Sequence, residues 1–103
     1  MSTELEARVA ELERTVRELT DREAIRTLRA HYHEYINERR ADEIPALFAR
    51  DATLDFGYLG RARGPEKIAR VFAAVPEVLE FVKQFIHSHV IELDGDTGTG
   101  WSY

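Results

Sequence analysis

This sequence of 103 residues contains no cysteine, one methionine, one tryptophan and three prolines. Without cysteine there is no disulfide framework, no thiolate nucleophile and no thiolate metal ligand. No apolar run approaches the roughly 20 residues of a membrane-spanning helix. Met1-Ser2-Thr3-Glu4 leads into a charged helix instead of an apolar signal region. These absences point to the cytoplasm and away from the membrane. Positive charge is not in excess: the formal net charge is −5, which disfavours a phosphate backbone or an anionic membrane as partner. A phosphate-cradling glycine loop, a Gly-x-Ser-x-Gly elbow and a dinucleotide fingerprint are all missing.

What is present describes a folded chain. The composition is 44% hydrophobic and 32% charged, a balance typical of globular proteins and not of disordered ones. The length allows one domain. Leu5, Val9, Leu12, Val16 and Leu19 alternate spacings of four and three, an a/d heptad seam on a charged helix. Residues 1–20 are therefore expected to form a helical extension, and residues 21–103 the compact domain. Two readings of the seam are open: pairing with a second copy, or packing on its own domain. Pairing is preferred, because the compact part is small for covering that stripe.

Thr20-Asp21-Arg22-Glu23 fits a capping box and predicts a second helix, or a bend in one long helix. Ala24, Ile25, Leu28, Tyr32, Tyr35 and Ile36 then recur at helical spacing. A short helix is predicted over residues 42–49, with Pro45 in its first turn. Residues 52–58 alternate, with Ala52, Leu54, Phe56 and Tyr58 on one face of a strand. Residues 60–64 read as a turn or a short strand. Gly64-Pro65 opens a helix whose buried stripe is Ile68, Val71, Phe72 and Val75, and which Pro76 is expected to stop. Residues 81–93 read as one long strand, Asp94-Gly95-Asp96 as a tight hairpin, and residues 97–103 as the return strand. Helices that come first, with long strands joined by a hairpin, indicate α+β with an antiparallel sheet.

The order of three pieces carries a resemblance. They are Leu47-Phe48-Ala49-Arg50-Asp51-Ala52-Thr53-Leu54-Asp55-Phe56 downstream of a helix bearing Tyr32 and Asn37, Gly64-Pro65 with its helix, and Phe85-Ile86-His87-Ser88-His89-Val90-Ile91-Glu92-Leu93-Asp94-Gly95-Asp96. Over residues 21–103 this order resembles the SnoaL-like branch of the nuclear-transport-factor-2-like superfamily. The resemblance implies a cone-shaped α+β fold, with N-terminal helices packed on a curved antiparallel sheet around a pocket. Relatives usually continue with at least two more strands. The sheet is thus expected to be incomplete at the C-terminus, either truncated or completed from another copy. Several members are cofactor-free dehydratases, isomerases or cyclases, so a lyase or isomerase is one expectation. Its substrate would be a small apolar oxygenated molecule of ketone, polyketide or steroid-like type, with no cofactor. A non-catalytic ligand-binding or oligomerisation domain of the same fold is the alternative, and a homo-oligomer is expected in either case.

The resemblance also implies site residues. SnoaL-like dehydratases often carry Tyr-x-x-x-x-Asp on the second helix. Tyr32 matches the tyrosine, which would polarise a substrate oxygen, while Asn37 stands where the carboxylate would be. An amide can orient a group but cannot serve as a carboxylate base. Five residues apart on a helix, the two point about 140° apart. The family's histidine usually precedes a Phe-Ile-type pair, a place held here by Gln84 before Phe85-Ile86. His87 is the candidate base, since histidine titrates near neutrality as a residue type. Phe56, Tyr58, Gln84, Ile86 and Trp101 are the expected substrate-lining residues. Asp55 reads as a solvent or loop contact.

His87-Ser88-His89 also has a metal-ligand spacing on a strand, but no third ligand stands out, and no metal is expected. His31 and His33 flank Tyr32 and diverge by about 200°. Arg61, Arg63, Lys67 and Arg70 form a basic cluster, read as a solvated face or as an anionic-ligand site.

Overall fold

A computed structural model describes residues 2–103. From the N-terminus to Ile44 the sequence contains neither glycine nor proline. Nothing interrupts the backbone ladder there, and α1 runs unbroken over Ser2–Asn37, 36 residues or about 54 Å at 1.5 Å per residue. Of the two readings of the capping box, the second helix is corrected and one long helix stands: Thr20 and Glu23 lie inside one continuous helix, where the backbone already supplies the bonds a cap would replace. α1 ends in a Schellman turn. The Arg40 N–H donates to Tyr35 O at 2.8 Å and the Arg39 N–H to Ile36 O at 3.3 Å. Arg39 takes the left-handed position, φ 58°, that glycine usually fills at a cost of roughly 1–2 kcal/mol for other residues. Its guanidinium donates to Glu80 O. Arg40 is held by Glu34, Glu38 and Glu43. That contact keeps the Glu43 carboxyl below the usual carboxylate range.

The chain divides into two compact units, one of residues up to Leu28 together with Ile86–Tyr103, the other of Arg29–Phe85. In the second, the core unit, a 3-10 helix over Ala41–Leu47 replaces the short α-helix expected at 42–49. β1 (Thr53–Asp55) pairs antiparallel with β2 (Arg61–Arg63), with Leu54 opposite Ala62. α2 spans Pro65–Val78. Gly64 precedes it at φ 86°, a conformation side chains rarely adopt, and lets Pro65 start the helix. Pro76 does not stop α2 as expected. It removes only the bond its own N–H would have made, and the Leu79 N–H still reaches Val75 O at 2.9 Å.

Ile44, Ile68 and Phe72 are fully enclosed, with Tyr32, Tyr35, Ile36, Phe48, Leu54 and Phe56 packed around them. The strand expected over 52–58 ends at Asp55. A 3-10 turn over Gly57–Leu59 then swings Tyr58 out to 83% exposure.

In the other unit β3 (His89–Asp94) pairs antiparallel with β4 (Thr97–Ser102) through a two-residue turn at Gly95-Asp96. His89, Ile91 and Leu93 face inward, and Ile91 is buried. The Arg22 guanidinium donates to Ile91 O at 2.6 Å. Gly98 lets the hairpin approach closely: a Cβ there would meet Leu93 Cδ2 at 3.1 Å and Ile25 Cδ1 at 3.9 Å. The long strand expected over 81–93 is corrected to six residues. β4 offers partners only as far as His89, and residues 81–86 carry no ladder. No helix among the described residues is long and apolar enough to cross a membrane.

Candidate functional site

The core unit brings Tyr32, Asn37 and Gln84 into one hydrogen-bonded group. Asn37, in the last turn of α1, meets the backbone of Gln84 twice. Its Nδ2 donates to Gln84 O at 2.8 Å, and its Oδ1 accepts from the Gln84 N–H at 2.7 Å. The side-chain amide therefore stands in for a strand neighbour, satisfying both polar groups of a peptide that has no ladder. A carboxylate could accept the N–H but could not donate to the carbonyl, which gives a physical reason for asparagine at this position.

The Gln84 side chain in turn hydrogen-bonds the Tyr32 phenol, in the sense that favours the phenolate. Burial is the largest influence on Tyr32 and pushes its pKa up, opposed by the positive charge of Arg29 and by the Gln84 bond. At neutral pH the phenol is protonated. Its ring lies edge-on to Phe72 at 6.0 Å, with the Arg29 guanidinium 4.8 Å from its centroid. Phe56 also packs on Phe72, with ring centroids 5.4 Å apart.

Beyond Phe72 the same unit holds a small cavity of about 50 Å³, lined mainly by Tyr35, Ile36, Ile44, Phe72, Val75 and Leu79. Drug-sized ligands occupy sites of about 300–1,000 Å³, so this space suits a fragment of a few atoms.

The remaining sequence candidates lie elsewhere. Tyr58 is on the surface of the core unit. Ile86, His87 and Trp101 belong to the hairpin unit and are exposed. The His87 N–H donates to Tyr103 O, and Trp101 stands opposite Val90 on the outer face of the hairpin. His87 precedes β3, so it does not share a strand face with half-buried His89. Among the described residues no three His, Cys, Asp or Glu side chains converge as a metal site requires. Asp55 accepts from the Gly57 N–H at 3.1 Å and sits 3.3 Å from Arg61.

One neighbour of Tyr32, Arg29, escaped the sequence reading. Arg29 sits three residues before it, a helical spacing that already implies contact. His33 is half-buried, its ring 5.2 Å from that of Tyr32, whereas His31 is exposed and stacks on Tyr35 at 5.8 Å.

Compared with known proteins, residues 17–103 match the model of one family, described as the SnoaL-like domain. No curated protein matches the chain.

Proposed function

The chain belongs to the SnoaL-like domain family of the nuclear-transport-factor-2-like superfamily, a small-molecule-binding fold, and from that premise we propose that it acts on a small oxygenated molecule by cofactor-free dehydratase or isomerase chemistry. The observation that carries this reading is the half-buried Tyr32 phenol, protonated at neutral pH, with its ring edge-on to Phe72 and the Arg29 guanidinium beside it. Such a donor suits a carbonyl oxygen that gains negative charge as a proton leaves the adjacent carbon. The Arg29 charge favours the same development.

In the proposed reaction the base takes the α-proton and its electron pair moves into an enolate held by Tyr32. The enolate then expels a β-hydroxyl, which leaves as water after accepting a proton, or is reprotonated at a different carbon. Asn37 acts as a positioning residue that holds the Gln84 segment, and Phe56 contributes an apolar wall.

One observation favours a second reading, a binding domain without turnover. Asn37 is bonded through both its amide nitrogen and its oxygen to the Gln84 backbone, so the one substituted member of the Tyr-x-x-x-x-Asp pattern is engaged in holding that segment. A panel of β-hydroxy ketones, followed by the near-ultraviolet absorbance of the enone product, separates the two. Under the enzyme reading Tyr32→Phe lowers kcat/KM by about 10²–10³-fold. Absence of turnover, with the enone products still raising the Tm of the wild type but not of Tyr32→Phe, selects passive binding. Turnover that survives Tyr32→Phe removes the role assigned to that phenol.

A further inference from the structure

Residues 2–20 of α1 are exposed without exception, including the seam residues Leu5, Val9, Leu12, Val16 and Leu19. The seam is not covered by the chain's own domain, which removes one of the two readings its spacing allowed. We propose that it is the interface of a parallel, in-register two-stranded coiled coil with a second copy of this chain.

The residue types at each position single out that occupant. With spacings of four then three, Leu5, Leu12 and Leu19 fall at d, and Val9 and Val16 at a. A β-branched residue at a with leucine at d is the combination that favours two parallel strands. The flanking charges agree. Arg8 falls at g and Glu13 at the e position of the next heptad, so each copy's Arg8 faces the second copy's Glu13, twice across the two-fold axis. Thr15 at g faces Thr20 at e, a neutral pair. An antiparallel pairing centred on Leu12 would set Glu13 against its own copy and leave Arg8 opposite Thr15. Among the described residues Arg8 is engaged only by Glu4, at 3.5 Å, and both side chains are largely exposed. Exposed pairs of that kind are weak, so the guanidinium is available to Glu13.

The seam also stops where the chain's own packing begins. The next a and d positions are Glu23 and Arg26, and Arg22, the next g, is turned to Ile91 O at 2.6 Å. The repeat is shorter than the three to four heptads of a self-sufficient coil, so association depends on concentration.

The test uses the full chain, first by light scattering across a concentration series. The expected mass rises toward twice the 11.9 kDa of the subunit, and Leu12→Glu holds it at one subunit. Arg8→Glu and Glu13→Arg each weaken the dimer several-fold, and mixing the two variants restores it. Orientation is read from the Leu5→Cys variant, since the chain has no other cysteine. Under mild oxidation it forms a disulfide-linked dimer if the helices are parallel and in register. The proposal is overturned if the wild type stays monomeric at millimolar concentration, if Leu12→Glu leaves the dimer intact, or if Leu5→Cys cross-links only when mixed with Leu19→Cys.

Discussion

The two stretches of α1 carry apolar stripes of similar regularity on one uninterrupted helix, yet only the second is covered in part by this chain, at Ile25, Tyr32, Tyr35 and Ile36, with Leu28 still 47% exposed. Leu5 to Leu19 form a narrow seam, two residues per heptad, and stay 51–64% exposed. Ala24 to Ile36 form a broader stripe with adjacent pairs at Ala24-Ile25 and Tyr35-Ile36, and its Tyr32, Tyr35 and Ile36 pack on Ile44, Ile68 and Phe72. The width of the stripe is what differs. A globular core needs an apolar face of about 100° or more, whereas an a/d seam is wide enough only for another helix. Periodicity thus predicted the helix in both stretches, and the width of the stripe is what separates them.

The largest effect that follows lies in the second stretch. Phe72 is 1% exposed and makes ring contacts with Tyr32, Phe48 and Phe56. Phe72→Ala is expected to cost about 3–5 kcal/mol, enough to unfold a unit with so few enclosed side chains, as urea denaturation followed by circular dichroism would register. A cost below about 1 kcal/mol would mean that the broad stripe is not held by this core, and the contrast between the stretches would lapse.

Next comes Asn37, at the end of the covered stretch. Asn37→Ala leaves the Gln84 N–H and carbonyl without their amide partner, at a cost of about 1–3 kcal/mol. Asn37→Asp keeps the acceptor and loses the donor. Aspartate is therefore expected to fall between asparagine and alanine or, with its charge held against a carbonyl oxygen, below alanine. Equal stability of all three would show that residues 81–86 are held by something other than this pair. Hydrogen exchange of the Gln84 amide measures the same bond directly.

A smaller effect is expected from pH. Burial raises the Tyr32 pKa above 10.0 in the folded state. The unfolded chain therefore releases this proton first as pH rises, and stability present below about pH 10 is lost as the pH moves up through the folded pKa. The difference between wild type and Tyr32→Phe in denaturant titrations at pH 8 and at pH 11 isolates this residue from Tyr35, Tyr58 and Tyr103. Wild type should lose more stability than the variant over that interval. An equal loss would mean that the phenol is as hydrated as in the unfolded chain.

What could be read in advance follows the range of the forces involved. Local signals gave the helices, the Gly64-Pro65 start of α2 and the turn at Gly95-Asp96, because each depends on residues within a few positions. The unbroken passage through Thr20 was also local in cause: a capping box has nothing to cap where no glycine or proline ends the preceding turn. The strand over 81–93 was overread, because strand formation needs a partner and β4 stops supplying one at Ser102, opposite His89. Tyr32, Asn37 and Gln84 were each singled out on the strength of a family likeness. That they bond to one another was not legible, since Asn37 and Gln84 are 47 residues apart and no periodicity links them. The outward turn of Tyr58 had a local sign in Gly57, which takes φ 59° in the 3-10 turn after β1.

The smallest effect is the most direct check on the comparison. Leu12 is 64% exposed, so at submicromolar concentration Leu12→Ala removes few contacts and introduces the strongest helix former. Its effect on unfolding should stay within about 0.5 kcal/mol, the range of ordinary surface substitutions. A loss of about 2 kcal/mol or more in a sample shown to be monomeric would require the seam to be buried by its own chain, and the two stretches of α1 would then be alike. A loss that grows with protein concentration requires instead that the cover come from a second copy, since only an intermolecular contact adds stability by mass action.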